Sequence, residues 1–458
     1  MKLLFIHGWS VTSINTYGEL PQVLQNNAPK EMNLQIENIY LSEYISFHDE
    51  VTLEDIARAF ESARKEKLGD EHFACITHST GGPVIRLWMD LYFKNNLLST
   101  PLSHLIMLAP ANHGSSLAIL GKQKVNRIKS WFKGVEVGEK VLDWLQLGST
   151  EQWKLNDSWL NYEYKKDTFF PFVLSGEKID EHFYDFINDY LVEKGSDGVI
   201  RLCSANMNYK ILTLEQKCNE DPINVVVNSH KTYTYPMRLV GDIKSAPNSA
   251  FEVITNASHS GDKYGIMESI KSYRAIKPVI NSIIESLQIK SKTEYNNIIE
   301  DMNKRTNIAQ KEKQKYIMLV LNVKDNYGNK IDDYDMILLA GKDYEPNKLP
   351  KGFFMDRQKN DNSSNLVYYI NHNKIKNIKD KKFGIRIVAR PDVGFTHYSP
   401  AEFRSEDINI EHFLNPNETL MLDIILKRQI AKNTFVLNTV EESKKEFSNR
   451  VPSGDYIE

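Results

Sequence analysis

A chain of 458 residues is too long for one domain of usual size, so at least two are expected. Its 57 basic and 60 acidic side chains nearly cancel, and no basic patch interleaved with aromatics appears, which argues against nucleic acid as a partner. No apolar run approaches the ~20 residues that span a bilayer, and the three cysteines Cys75, Cys203 and Cys218 make no disulfide framework.

The first predicted strand, Leu3–Ile6, is too short for a signal-peptide core and runs straight into His7-Gly8-Trp9. A cytoplasmic protein is expected, or one exported without a cleaved leader. Residues 51–67 read as a helix, capped by Thr52 with Asp55 three residues on. Next comes an apolar strand, Phe73–Ile76, then Thr77-His78-Ser79-Thr80-Gly81-Gly82, then a helical stripe at Val84, Leu87, Trp88 and Leu91. Strand, sharp turn and helix in that order thrust a serine out of the backbone beside the amides of a helix N-terminus. The turn relaxes G-x-S-x-G, with Thr77 for the first glycine and Gly81 as the second. The plainer alternative is a serine in a helix-capping turn.

A strand over 104–108 leads into Ala109-Pro110-Ala111-Asn112-His113-Gly114-Ser115-Ser116-Leu117-Ala118. Residues 115–165 hold Trp131, Trp144, Trp153 and Trp159 among lysines and glutamates, a composition that suits a cap over an acyl-chain groove. A helical insertion with its tryptophans packed inside accounts for it equally. A strand over 170–175 precedes Asp180 and then Gly195-Ser196-Asp197-Gly198-Val199-Ile200. A second insertion, about 206–248, is rich in β-forming residues and contains His230; it predicts a hairpin beside the active-site face. The strand 251–255 exits through a loop to His259, and a long helix is predicted from Tyr264 to Ile289. The alternation of strands 3–6, 73–77, 104–108, 170–175 and 251–255 with helices predicts an α/β fold with a doubly wound, mostly parallel sheet.

Residues 293–314 read as a charged linker or helix. From 315 to 430, short strands at 317–323, 336–340, 366–370, 383–389 and 420–426 with no helices between them predict an antiparallel β-sandwich. Asp325, Asp332, Asp333 and Asp335 raise the question of calcium, but turn chemistry explains them and no metal is expected. No P-loop or zinc-ligand spacing appears, and no cofactor is expected. The tail 431–458 is charged and reads as loosely held.

The Leu3–Trp9 opening, the Ser79 turn, the Ala109–Ala118 segment and the Asp197-Gly198-Val199 segment, in that order, resemble serine lipases and phospholipases of the α/β-hydrolase superfamily, bacterial type VI secretion lipase effectors among them. The resemblance covers about residues 1–290, so 1–292 is expected to be the catalytic domain. It implies a triad in the chain order serine, acid, histidine: Ser79, Asp197 (with Asp180 as rival) and His259. It also implies an oxyanion hole from the amides of Trp9 and Thr80, with His7, Gly8 and His78 along the substrate. His259 would take the proton from Ser79 and return it to the leaving alcohol, Asp197 would orient the imidazole, and water would release the acyl-enzyme. The implied substrate is a lipid or other acyl ester, met at a membrane surface. A soluble carboxylesterase or thioesterase and a degenerate binding module are the alternatives. With every required group before residue 260, the C-terminal β-domain is expected to target the enzyme to a membrane, a delivery apparatus or a protein partner, or else to cover an apolar face of the hydrolase.

Overall fold

The computed structural model describes residues 1–7, 16–46, 48–118, 138–162, 168–179, 193–227, 230–406 and 413–431. In chain order the first part runs β1 (Lys2–His7), α1 (Leu20–Asn27), β2 (Gln35–Tyr40), α2 (Leu53–Leu68), β3 (Phe73–His78), α3 (Gly81–Phe93), β4 (Leu102–Leu108), α4 (Glu139–Leu145), α5 (Thr150–Trp159) and β5 (Phe170–Gly176). It continues through α6 (Leu202–Ala205), β6 (Tyr209–Gln216), β7 (Ile223–Val227), β8 (His230–Ser245), β9 (Ala250–Ile254), α7 (Pro278–Leu287) and α8 (Lys292–Ala309). Six of these strands form one parallel sheet in the order β2-β1-β3-β4-β5-β9.

Strand alternation divides the apolar residues between the two faces of this sheet. Leu4 and Ile6 of β1 join Phe60 of α2 and Trp88 of α3 in one core. Leu3 and Phe5 join Leu24 of α1, Ile280 of α7 and Met302 of α8 in the other. Helices thus cover both faces, as crossover connections between parallel strands require. The cap of α2 is reciprocal: Asp55 N–H donates to Thr52 Oγ1 at 3.2 Å, and Thr52 N–H to Asp55 Oδ2 at 3.1 Å. The tryptophans of the 115–165 insertion that are described lie inward. Trp144 and Trp159 are buried in the core, and Trp153 packs against the neighbouring sheet; Trp131 lies outside the described residues.

Two elements near the end of this part differ from expectation. The long helix over 264–289 is confined to Pro278–Leu287, with proline at the first helical position, where no N–H is needed. Turns fill the preceding stretch. Most of the charged segment after it is α8, begun by a Ser291–Glu294 capping box, with Tyr295, Ile298, Ile299 and Met302 buried against the parallel sheet. Glu300, Asp301 and Lys304 are exposed on its outer side, whereas Arg305 turns back to the sheet and pairs with the buried Glu252 of β9 at 2.9 Å.

The remaining chain forms β10 (Tyr316–Asp325), β11 (Tyr334–Ala340), β12 (Phe354–Lys359), β13 (Leu366–Asn371), β14 (Phe383–Ala389), β15 (Thr396–Tyr398), β16 (Ala401–Arg404), β17 (Thr419–Leu426) and β18 (Arg428–Ile430). These build an additional β-domain around a ten-stranded sheet ordered β11-β14-β16-β8-β6-β17-β10-β13-β12, with β7 paired to β8. The sheet is mixed: β10–β17, β17–β6 and β16–β8 run parallel and the other pairs antiparallel. Two of the parallel pairs, β17–β6 and β16–β8, join C-terminal strands to strands that enter from the 206–248 insertion of the hydrolase part. β10 shows how the two parts join. Ile317, Leu319, Leu321 and Val323 face the β-domain's own core, while Tyr316, Met318 and Val320 face Leu147, Cys203 and Tyr209 of the hydrolase part. The acids weighed for calcium are engaged otherwise: Asp325 accepts from the amides of Tyr327 and Asn329, Asp332 pairs with Lys330, and Asp333 and Asp335 pair with Arg390. Among the described residues no helix is long and apolar enough to cross a membrane.

Candidate active site

Ser79 follows β3, a central strand, at the carboxyl edge of the parallel sheet. Its φ is +52°, a left-handed conformation that costs a non-glycine residue about 1–3 kcal/mol and persists only when its surroundings over-determine it. Three backbone bonds do so here. Ser79 N–H donates to Leu108 O at 3.0 Å, and Ser79 O accepts from Gly82 N–H at 3.3 Å and Ala111 N–H at 3.2 Å. Thr80, at the N-cap of α3, puts the positive end of that helix beside the serine. The side chain of Ser79 is half-exposed on a buried frame.

The turn's departure from two glycines has a steric account. A Cβ on Gly81 would lie 3.2 Å from Thr77 Cβ, so the bare glycine supplies the space that the buried threonine fills. Gly82 is tighter still: a Cβ there would come within 2.7 Å of Pro110 Cβ. Gly82 therefore lets the start of α3 approach the segment after β4.

The structure brings Asp197 and His259 together across 62 residues. His259 Nδ1 lies 2.9 Å from Asp197 Oδ2, and His259 N–H donates to Asp197 O at 3.1 Å, so the acid grips both the ring and the main chain of the histidine. The other carboxylate oxygen accepts from Val199 N–H at 3.0 Å and Ile200 N–H at 2.7 Å. Both side chains are almost wholly buried. Such a carboxylate, satisfied at both oxygens, can hold a neighbouring imidazole in one tautomer, with its proton on Nδ1 and Nε2 left to accept. His259 reaches this place from β9 through Asn256, which adopts a left-handed turn at φ +56°. Gly176, at the end of β5, makes the approach possible. A Cβ there would sit 2.0 Å from Ala257 O, and Lys178 N–H donates to that carbonyl at 2.9 Å.

His78 touches the base, too. Its Nε2–H donates to His259 O at 3.1 Å, and the two rings lie 4.5 Å apart. It links the serine turn to the histidine loop. His7 is buried between Tyr17 and Tyr40 with Nε2 2.9 Å from Asn38 Oδ1, and burial lowers its pKa. Gly8, Trp9 and Asp180 lie outside the described residues.

Arg86 and Asn156, not singled out from the sequence, form a buried network behind the site with Asn112, His113 and Trp159. Arg86 of α3 is fully buried; it donates to Asn112 Oδ1 at 3.2 Å and Asn156 Oδ1 at 2.8 Å and stacks 4.7 Å over Trp159. With its oxygen on Arg86, Asn156 turns its amide nitrogen to His113 Nδ1 at 3.2 Å. His113 thus accepts, and burial, with the Arg86 charge adding to it, pushes its pKa down to about 3. Asn112 and the neutral His113 are therefore members of a buried network behind α3, linked through Arg86 and Asn156.

No family model and no curated protein matches the chain. Among solved structures it is similar to phospholipase PlaB from Legionella pneumophila, with 40% identity over 100% of this chain and 99% of that one and a TM-score of 0.89. The same enzyme in complex with thio-NAD gives 38% identity over 100% of each chain and a TM-score of 0.87.

Proposed function

Since the chain belongs to the PlaB phospholipase family of α/β-hydrolases and is an ester hydrolase, we propose that Ser79, His259 and Asp197 form its catalytic triad and that it cleaves the carboxylic ester of phospholipids. The observation that carries the triad is the double hold of Asp197 on His259 at the sheet edge where Ser79 stands in its left-handed turn. Ser79 Oγ attacks the acyl carbon as His259 Nε2 takes its proton. The imidazolium so formed keeps Nδ1–H on Asp197 Oδ2, both side chains being buried. The charge that develops on the carbonyl oxygen meets the Thr80 amide at the start of α3, with the Trp9 amide as second donor. Collapse returns the proton from His259 to the leaving alcohol of the lysolipid. Water, activated by the same imidazole, then frees the fatty acid.

The experiment is a fluorophosphonate labelling of the full-length protein, followed by fatty-acid release from mixed phospholipid vesicles compared with short soluble esters and acyl-thioesters. Label on Ser79, lost in Ser79→Ala, with release from vesicles, is the expected result. Folded protein that takes no label at Ser79 overturns the triad. Turnover of soluble esters alone overturns the phospholipid.

A further inference from the structure

We infer that Arg201 is a positioning residue for the catalytic acid and that the C-terminal sheet holds it in place; this rests on the triad reading above. Glu193 and Arg201 stand four residues before and four after Asp197. Arg201 Nε donates to Glu193 Oε2 at 2.8 Å and Nη2 to Glu193 Oε1 at 2.5 Å, so the pair closes the acid loop like a clasp. Next to the clasp, Leu202 N–H donates to Gly195 O at 2.9 Å.

Arg201 is 1% exposed, and a buried guanidinium is tolerated only with compensating partners. The C-terminal sheet supplies two of them. Nη2 also donates to Asp356 of β12, and the guanidinium lies 4.3 Å over the ring of Tyr369 of β13. Tyr369 grips the loop's backbone as well, its hydroxyl donating to Lys194 O at 2.7 Å. Gly195 makes room for this: at φ +76°, a Cβ would fall 2.5 Å from Tyr369 Oη and 2.3 Å from Tyr316. Gln358 of β12 donates to Asp356 at 2.9 Å, and Ser116, after β4, donates to Glu193 at 2.9 Å. The loop that presents Asp197 is thus tied at both ends to strands more than 150 residues away in sequence. None of these groups reaches the reacting atoms. Their effect passes through the position of the Asp197 carboxylate against His259.

The test uses full-length protein on a soluble ester, with Asp356→Asn and Tyr369→Phe as mild variants and Arg201→Lys and Arg201→Met as a graded pair. Each mild variant is expected to lower kcat about 10- to 100-fold, the scale of a misplacement near 1 Å, with KM little changed. The acid limb of kcat/KM moves to lower pH, because a carboxylate held less firmly stabilises the imidazolium less. Arg201→Lys keeps more activity than Arg201→Met. Introduced into Asp197→Asn, the same changes cost nothing further, since the acid they position is already gone. Folded Asp356→Asn and Tyr369→Phe proteins with the parent kcat and acid limb overturn the inference, as do equal losses in both backgrounds, which would mark a merely structural contact. An Asp197→Asn protein of full activity instead overturns the triad reading, and the inference with it.

Discussion

At the scale of single residues, the acid is the point of greatest leverage. Asp197 accepts two backbone amides on one oxygen and the His259 ring on the other. An asparagine there keeps the shape but offers an N–H or a weaker acceptor to Nδ1, so the imidazole is no longer held in the tautomer that leaves Nε2 free to accept. Asp197→Asn is expected to lower kcat about 10⁴-fold with the protein still folded, measured as ester turnover and as the fluorophosphonate labelling rate. A loss below tenfold would move the acid elsewhere. Ser79→Ala should cost about 10³-fold or more on the same ester.

At the scale of elements, the base depends on how closely one strand end approaches one loop. Gly176 ends β5 where a Cβ would fall 2.0 Å from Ala257 O, two residues before His259. Backbone, unlike a flexible side-chain end, cannot swing aside. Gly176→Ala is therefore expected to displace the His259 loop and to lower kcat about 10²-fold, with circular dichroism unchanged in shape. Parent-like kinetics would show that the loop moves without consequence. Gly81 and Thr77 illustrate the opposite case, in which a missing side chain at one position is matched by a larger one at another.

At the scale of the whole molecule, two groups tie stability to pH. Burial lowers the pKa of His104 to about 4 and that of His113 to about 3, from about 6.5. Unfolded, each histidine takes up a proton as pH falls below about 6.5; folded, each stays neutral down to its lowered value. Their contribution is fully present above pH 6.5 and is lost as pH falls toward 4 and then 3, by about 1.4 kcal/mol per unit for each. Thermal unfolding across pH 7 to 4 should show Tm falling below pH 6.5, less steeply in His113→Asn. An unchanged slope in that variant would assign the dependence to other groups. A second expectation concerns truncation. A fragment 1–292 keeps β6 and β8 but loses β17 and β16, their partners in the mixed sheet, and uncovers Leu147, Cys203 and Tyr209. It should aggregate on size-exclusion chromatography, whereas a monodisperse, active fragment would support a separable targeting role for the β-domain.

What the sequence determined by itself was local or periodic. The strand-turn-helix around Ser79 is written in six adjacent residues, the α2 cap in Thr52 and Asp55, and the parallel sheet in apolar runs spaced by helices. The family resemblance and its chain order pointed to His259 as base and to Asp197, with Asp180 as rival, as acid. Only the tertiary structure decided the contact of Asp197 with His259, the buried network of Arg86, Asn112, Asn156 and His113 behind α3, and the clasp on the acid loop, because each of these joins residues tens to hundreds of positions apart. The same holds for the mixed sheet. A short alternating strand specifies which face is apolar but not which strand lies beside it, so β6 and β8 found partners in the C-terminal region that no local pattern names. The charged segment that became α8 shows the limit again: four apolar residues at helical spacing were enough to bury it once a matching face of the parallel sheet was there to receive them.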